Sequence, residues 1–147
     1  MKSPKNALTL ISIGLFFMCL PFASFYINGE HVAPPSWRIL GVGFIAAITQ
    51  WSAHYWFANP ILVLSWLFIG AGLRRIALFS STAALLLAAS FLPNRTILID
   101  IDYRPSPITE YGLGYWLWLA SMLSAFLAAC FAFWRGDSSK PIAPSDQ

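Results

Sequence analysis

Six acidic residues, nine basic residues, two histidines and two cysteines carry almost all the ionisable chemistry in these 147 residues. The densest carboxylate cluster is Asp100 and Asp102, followed by Arg104 and Glu110. An Asp-x-Asp pair suits a hard cation, but calcium takes about six to eight oxygen ligands and this stretch supplies three carboxylates. These residues therefore read as charge on a solvated loop, suited to contacting a partner. His54 follows Gln50 by one helical turn and could meet a polar ligand; among Trp51, Tyr55 and Trp56 it reads instead as a histidine at the level of lipid headgroups. His31 has only Glu30 beside it. The sequence contains no His-Glu-x-x-His pair, no Gly-x-Ser-x-Gly elbow and no glycine-rich phosphate loop. Cys19 and Cys130 sit inside apolar runs, where a thiol behaves as a small hydrophobe, so neither a disulfide framework nor a zinc pattern is expected. No catalytic, cofactor-binding or metal-ligating residue is assigned. The candidate contact residues are Asp100, Asp102, Arg104 and Glu110.

The elements that position these groups follow from where charge is missing. Asn6 to Gly29, Ile39 to Leu73, Ile76 to Asn94 and Tyr111 to Trp134 contain no Asp, Glu, Lys or Arg, and every charge falls in the remaining 45 residues. Charged residues make up 10% of the chain, against roughly 25% in a soluble domain. Apolar blocks of about 20 residues between charged connections are what a polytopic membrane protein needs to cross roughly 30 Å of hydrocarbon. The expected fold is all-α: a bundle of four transmembrane helices, an interfacial helix and a short strand-like extracytoplasmic loop. Residues 1–135 form one integral membrane domain and 136–147 a disordered cytoplasmic tail. The net charge of +3 does not argue for nucleic acid, because the basic residues flank the apolar blocks rather than lining one face.

Basic residues also set the orientation. With four spans and the N-terminus inside, Lys2, Lys5, Arg74, Arg75, Arg135 and Lys140 are cytoplasmic, against Arg38, Arg95 and Arg104 outside. A fifth span over residues 39–55 would reverse that bias, so the positive-inside rule selects four, with both termini cytoplasmic. Residues 7–26 are read as a retained first span, with a cleaved signal peptide as the alternative, since the positions before Ala23 and Ser24 fit a cleavage site poorly.

Residues 37–55 then lie along the outer leaflet. Trp37, Leu40, Phe44, Ile48, Trp51 and Tyr55 recur at three-four spacing and make one bulky stripe suited to apolar surroundings. Asn59-Pro60 predicts a new helix start, with Asn as N-cap and Pro at the first helical position, against the alternative of a continuous helix kinked at Pro60. Gly70, Gly72 and Arg74-Arg75 mark a cytoplasmic turn into a span over Ile76 to Leu92, and the last span runs from about Gly114 to Trp134. Small residues such as Ser80 to Ala84 and Ser121 to Ala129 allow close helix approach, within one chain or in a homo-oligomer. In the outer loop, Thr96 to Tyr103 alternates Ile97, Ile99, Ile101 and Tyr103 with Leu98, Asp100 and Asp102, a strand signal. Arg104 to Pro107 is expected to break it before Ile108 to Tyr111, giving a small hairpin on the outer face of the bundle.

The run Trp56-Phe57-Ala58-Asn59-Pro60, the apolar helix ending at Arg74-Arg75, and Tyr111 to Ser121 resemble small bacterial inner-membrane proteins that carry no assigned activity. The resemblance covers about two thirds of the chain; it implies a bacterial inner membrane and transfers no functional residue. No acidic residue, Lys or Arg falls inside an expected span, which weighs against a proton-coupled pump. The expected function is non-enzymatic: an accessory subunit or toxin-immunity type protein that acts in the lipid bilayer through a membrane-protein partner. The alternative is a small oligomeric channel or transporter. A lipid-directed enzyme ranks last, because its catalytic group would have to come from His31, His54, Asp100, Asp102 or Glu110.

Overall fold

The residue before a proline is pushed out of the helical region, and Pro21 ends the first helix accordingly. α1 covers Pro4–Cys19 and closes in a turn whose Leu20 and Phe22 N–H groups donate to Phe17 O at 3.3 Å and Cys19 O at 3.1 Å. The expected first span to residue 26 is thus corrected: the chain leaves the helix and forms a strand, β1, over Phe25–Ile27. The structure, a computed structural model, describes residues 4–27, 34–49, 51–98 and 105–137. The described chain is mostly helical.

α2 covers Ser36–Thr49 and is followed by a 3-10 segment over Trp51–Phe57. The expected interfacial stripe is divided between them. Leu40 packs on the core and Tyr55 joins an aromatic cluster, whereas Trp37, Phe44 and Ile48 are exposed. α3 begins at Ala58 and runs to Gly70. A helix does start where Asn59-Pro60 predicted, but Asn59 is not its cap: the capping position is Phe57, without a side-chain hydrogen bond. Pro60 sits in the first turn, where its missing N–H costs nothing, because those donors have no intrahelical partner.

α3 ends in a tight reversal. Gly72 adopts φ +75°; its N–H donates to Ile69 O at 3.3 Å, and the Leu73 N–H donates to Phe68 O at 3.0 Å. This pair of bonds around a left-handed glycine satisfies two carbonyls that the helix end would otherwise orphan. α4 then covers Arg74–Ala89 and α5 covers Leu113–Asp137. α1 packs against α5, α3 against α4, and α4 against α5, while α2 contacts mainly the 3-10 segment. Successive bundle helices run antiparallel. One end of the bundle gathers the start of α1, the Ala71–Leu73 turn and the end of α5; the other carries the sheet.

That sheet is antiparallel and three-stranded, in the order β1-β3-β2, with β2 at Thr96–Leu98 and β3 at Pro105–Tyr111. The expected hairpin of β2 and β3 is present with register Thr96↔Pro107, Ile97↔Ser106 and Leu98↔Pro105. Two features differ from expectation: β1 adds a third strand, and the prolines lie within β3 instead of breaking it. The pairing explains the prolines. Ile108 donates its N–H to Arg95 O at 2.8 Å, so the alternation of the ladder turns the Pro105 and Pro107 nitrogens away from β2. β1 pairs with the other half of β3, Phe25↔Tyr111, Tyr26↔Glu110 and Ile27↔Ile108, with a bulge between Tyr26 and Ile27.

By length and composition, among the described residues only Leu113–Arg135 of α5 is long and apolar enough to cross a membrane unaided. α1 and α4, with 16 residues each, extend roughly 24 Å at 1.5 Å per residue. α3 and the 3-10 segment together reach roughly 34 Å.

Candidate functional site

The bundle interior is built from small side chains. Ala58, Ala77, Ala84, Ala125, Ala128 and Ala129 are fully buried, as are Ser12, Ser65, Ser81 and Ser121, with Leu62 and Met122 filling the axis. Phe16 and Ile69 are buried as well, but many large apolar residues point outward, Phe79 and Trp134 being 78% and 77% exposed and Leu10, Phe17, Leu67, Leu86 and Phe131 also exposed. Buried hydroxyls are bonded. Ser12 Oγ donates to Ser121 O at 2.7 Å and accepts from Trp66 Nε1 at 2.9 Å. The Ser65 and Ser80 hydroxyls meet at 2.9 Å between α3 and α4. Asn59 joins three segments: its Nδ2 donates to Trp56 O at 2.9 Å and its Oδ1 accepts from Trp118 Nε1 at 2.8 Å. Among the described residues no buried side-chain nitrogen or oxygen lacks a partner.

Toward the sheet the interior changes from small to aromatic. Phe91, just beyond α4, touches four rings, with centroids at 6.0 Å from Phe25, 4.5 Å from Tyr55, 5.8 Å from Tyr111 and 5.7 Å from Tyr115. Ile27, Ile108 and Trp118 close the cluster from the sheet and from α5. Two phenols complete the end of α4. Tyr115 donates to Ala88 O at 3.0 Å, and the Tyr111 hydroxyl lies 3.1, 3.0 and 2.9 Å from the carbonyls of Phe91, Leu92 and Asn94. Tyr115 thus adds a donor to the last turn of α4, where carbonyls have no α-helical donor, and Tyr111 ties down the turn just beyond it. Burial pushes the Tyr111 phenol above its usual range, and the Arg95 charge partly offsets that rise. Three converging carbonyls favour the protonated hydroxyl for the same reason that they disfavour a phenolate.

The sheet packs over this aromatic cluster through Ile27, Ile108 and Tyr111. Glu110 is exposed on β3 opposite Tyr26. Thr109 beside it is exposed and donates to Tyr26 O at 3.1 Å. Asp100, Asp102 and Arg104 lie outside the described residues, as do His31 and Gln50, so of the four contact candidates Glu110 alone has a place in the fold. Ile99, Ile101 and Tyr103 of the expected strand face also lie outside. Ile108, Tyr111 and Ile27 pack against the aromatic cluster from the sheet.

Sheet edges differ in cover. Beside β1, Ala23 bridges Pro35 and the Ser36 N–H donates to Phe22 O at 2.9 Å. β2 pairs with β3 on one side, which makes it the edge from which another strand can be extended. His54, half-buried, stacks its ring edge-on to Tyr55 at 5.9 Å at the margin of the aromatic cluster. Sequence reasoning missed the cluster itself. Its signals were the Tyr111, Tyr115 and Trp118 spacing and a phenylalanine placed directly after the last turn of an apolar helix. A scan against models of protein families finds no match, and comparisons with curated proteins and with solved structures likewise find none.

Proposed function

We propose that the chain is a multi-pass protein of a bacterial inner membrane, with four spans and both termini cytoplasmic, whose outer sheet contacts a protein partner as an accessory subunit or toxin-immunity type protein. The observation that carries the membrane reading is the inversion of side-chain size. Soluble cores are filled mainly by Leu, Ile, Val and Phe; this bundle keeps Phe16, Leu62, Ile69 and Met122 inside but fills most of its interior with alanine and serine and turns most of its Leu, Phe and Trp outward. Lipid removes the hydrophobic drive between helices, so close approach of small residues and interhelical hydrogen bonds hold them together instead. α5 fits the same pattern, with 33% of its apolar window buried, whereas the core helix of a soluble protein is mostly buried.

Charge supports the orientation. Lys5, Arg74, Arg75 and Arg135 gather at the end opposite the sheet, and the sheet end has Arg38 and Arg95 with Glu110, the bias expected when the first end is cytoplasmic. The short α1 and α4 fit a bilayer that thins locally, at fractions of a kcal/mol per Å of mismatch. The partner reading rests on the sheet, where an open β2 edge offers main-chain hydrogen bonds and neighbouring charges set specificity.

Reporter fusions test the topology: signal from inside after both Lys5 and Gln147 is expected, and an outside signal after Gln147 alone means that residues 39–55 cross. Asp100→Lys combined with Asp102→Lys tests the function. Normal accumulation with reduced partner recovery after crosslinking is the expected result, and unchanged recovery removes the loop from the contact. Ion or solute flux from vesicles containing the purified chain alone would favour the channel alternative.

A further inference from the structure

A shallow groove of about 590 Å³ runs along the outside of α4, walled on its far side by Phe133 of α5. Leu78, Phe79, Ala83 and Leu86 line it, and Arg75 stands at one end. Thr82 adds no free polarity, because its hydroxyl donates to Leu78 O at 2.8 Å. The groove is therefore an apolar trough with a single exposed guanidinium at its mouth, at the bundle end that also carries Lys5, Arg74 and Arg135.

Its length has a meaning in a bilayer. From Arg75 to Leu86 is roughly 16 Å of helix at 1.5 Å per residue, about half of a hydrocarbon core of roughly 30 Å. The trough thus matches one leaflet, with the charge at the headgroup level. We propose that it seats an acyl chain of an anionic phospholipid of the inner leaflet, with the lipid phosphate on Arg75. This rests on the membrane reading above. Guanidinium binds phosphate through paired N–H donors, and a basic end attracts an anionic headgroup. A second copy of the chain fits less well: copies of one topology meeting across this groove would bring both sets of Arg74, Arg75 and Arg135 to the same depth, and like charges at an interface oppose association.

Native mass spectrometry of the full chain, purified in mild detergent and supplied with equal phosphatidylglycerol and phosphatidylcholine, tests the seat. The unaltered chain is expected to retain phosphatidylglycerol preferentially. Arg75→Gln lowers that preference about fivefold, the equivalent of ~1 kcal/mol for one basic side chain at an anionic surface, whereas Lys5→Gln, at the same end but outside the groove, leaves it in place. Ala83→Phe fills the trough and reduces retention of both lipids. Equal retention of the two lipids by the unaltered chain, or equal loss of preference with Lys5→Gln and Arg75→Gln, overturns the proposal. A doubled mass that Ala83→Phe abolishes makes a second copy the occupant and overturns it too. Carbonate extraction separates the two readings: a chain released from vesicles defeats the membrane reading, while one that stays embedded without lipid preference defeats only the seat.

Discussion

The middle of the bundle and its sheet end solve the same packing problem with opposite side chains. In the middle, alanines and serines let α1, α4 and α5 approach closely, and each buried hydroxyl finds an acceptor. At the sheet end, five aromatic rings surround or include Phe91, the Tyr115 phenol bonds the last turn of α4 and the Tyr111 phenol bonds the turn after it. Under the membrane reading proposed above, the difference follows the solvent. Deep in hydrocarbon a large ring gains nothing over lipid by being buried, whereas near water an amphipathic ring keeps its apolar face dry and its polar tip bonded.

Substitutions that break one region and spare the other sharpen this contrast. The largest effect is expected at Gly114, where α5 meets the chain beyond α1: a Cβ there would run into Ser36 Oγ and would come within 2.7 Å of Phe22 O and 2.8 Å of Ala23 O. Gly114→Ala should destabilise the fold by about 3 kcal/mol, at the upper end of ordinary point changes, read by thermal unfolding in detergent. Gly41→Ala is the control, since nothing lies within 4 Å of its added Cβ, and it should stabilise α2 by a few tenths of a kcal/mol up to about 1. Next comes Ser12→Ala, which leaves the Trp66 N–H without its partner; a loss of about 1–2 kcal/mol is expected from an unpaired buried donor, accompanied by a change in tryptophan fluorescence.

Tyr111→Phe removes the hydroxyl from three carbonyls and should cost about 1 kcal/mol. It also gives a pH signature. Because burial raises the folded-state phenol above its ordinary value of 10.0, its contribution is complete below that value and is lost as pH rises through the raised one. Stability measured across this alkaline range should fall less steeply in Tyr111→Phe than in the unaltered chain, and an identical slope would remove Tyr111 from the account. The smallest effect on stability is expected from Glu110→Lys, within about 0.5 kcal/mol because the side chain is exposed, with reduced partner recovery after crosslinking as its readout.

The helices were legible in the sequence because charge-free runs and glycine turns are local signals. α4 and α5 start and stop within a few residues of their expected limits, and the Gly72 reversal falls between Gly70 and Arg74 as composition suggested. What failed was non-local. Phe25–Ile27 reads as the tail of an apolar helix, and only its pairing with Ile108 to Tyr111, some eighty residues away, makes it a strand. Asn59 reads as a helix cap because Asn-Pro commonly is one, yet Trp118 from another helix claims its oxygen. Pro105 and Pro107 read as a break, and the one-sided ladder that accommodates them is a property of the sheet. Of the contact candidates, Glu110 alone could be located, because Asp100, Asp102 and Arg104 lie outside the described residues.

The hydroxyls of the bundle divide into two groups, and the division has a consequence for the order of assembly. Thr9, Ser81, Thr82, Ser90 and Ser121 donate to carbonyls three or four residues earlier in their own helix or turn. Under the proposed membrane reading, a newly made helix carrying such residues enters lipid with those hydrogen bonds already closed, without a neighbour. The Ser12 hydroxyl, bonded to Ser121 O and Trp66 Nε1, has no such local answer, and neither has the Trp118 N–H that reaches Asn59 Oδ1; these bonds close only when separate segments dock. If the helices insert as proposed above, insertion is thereby separated in time from their selection of partners, and the tryptophan N–H groups report the second event.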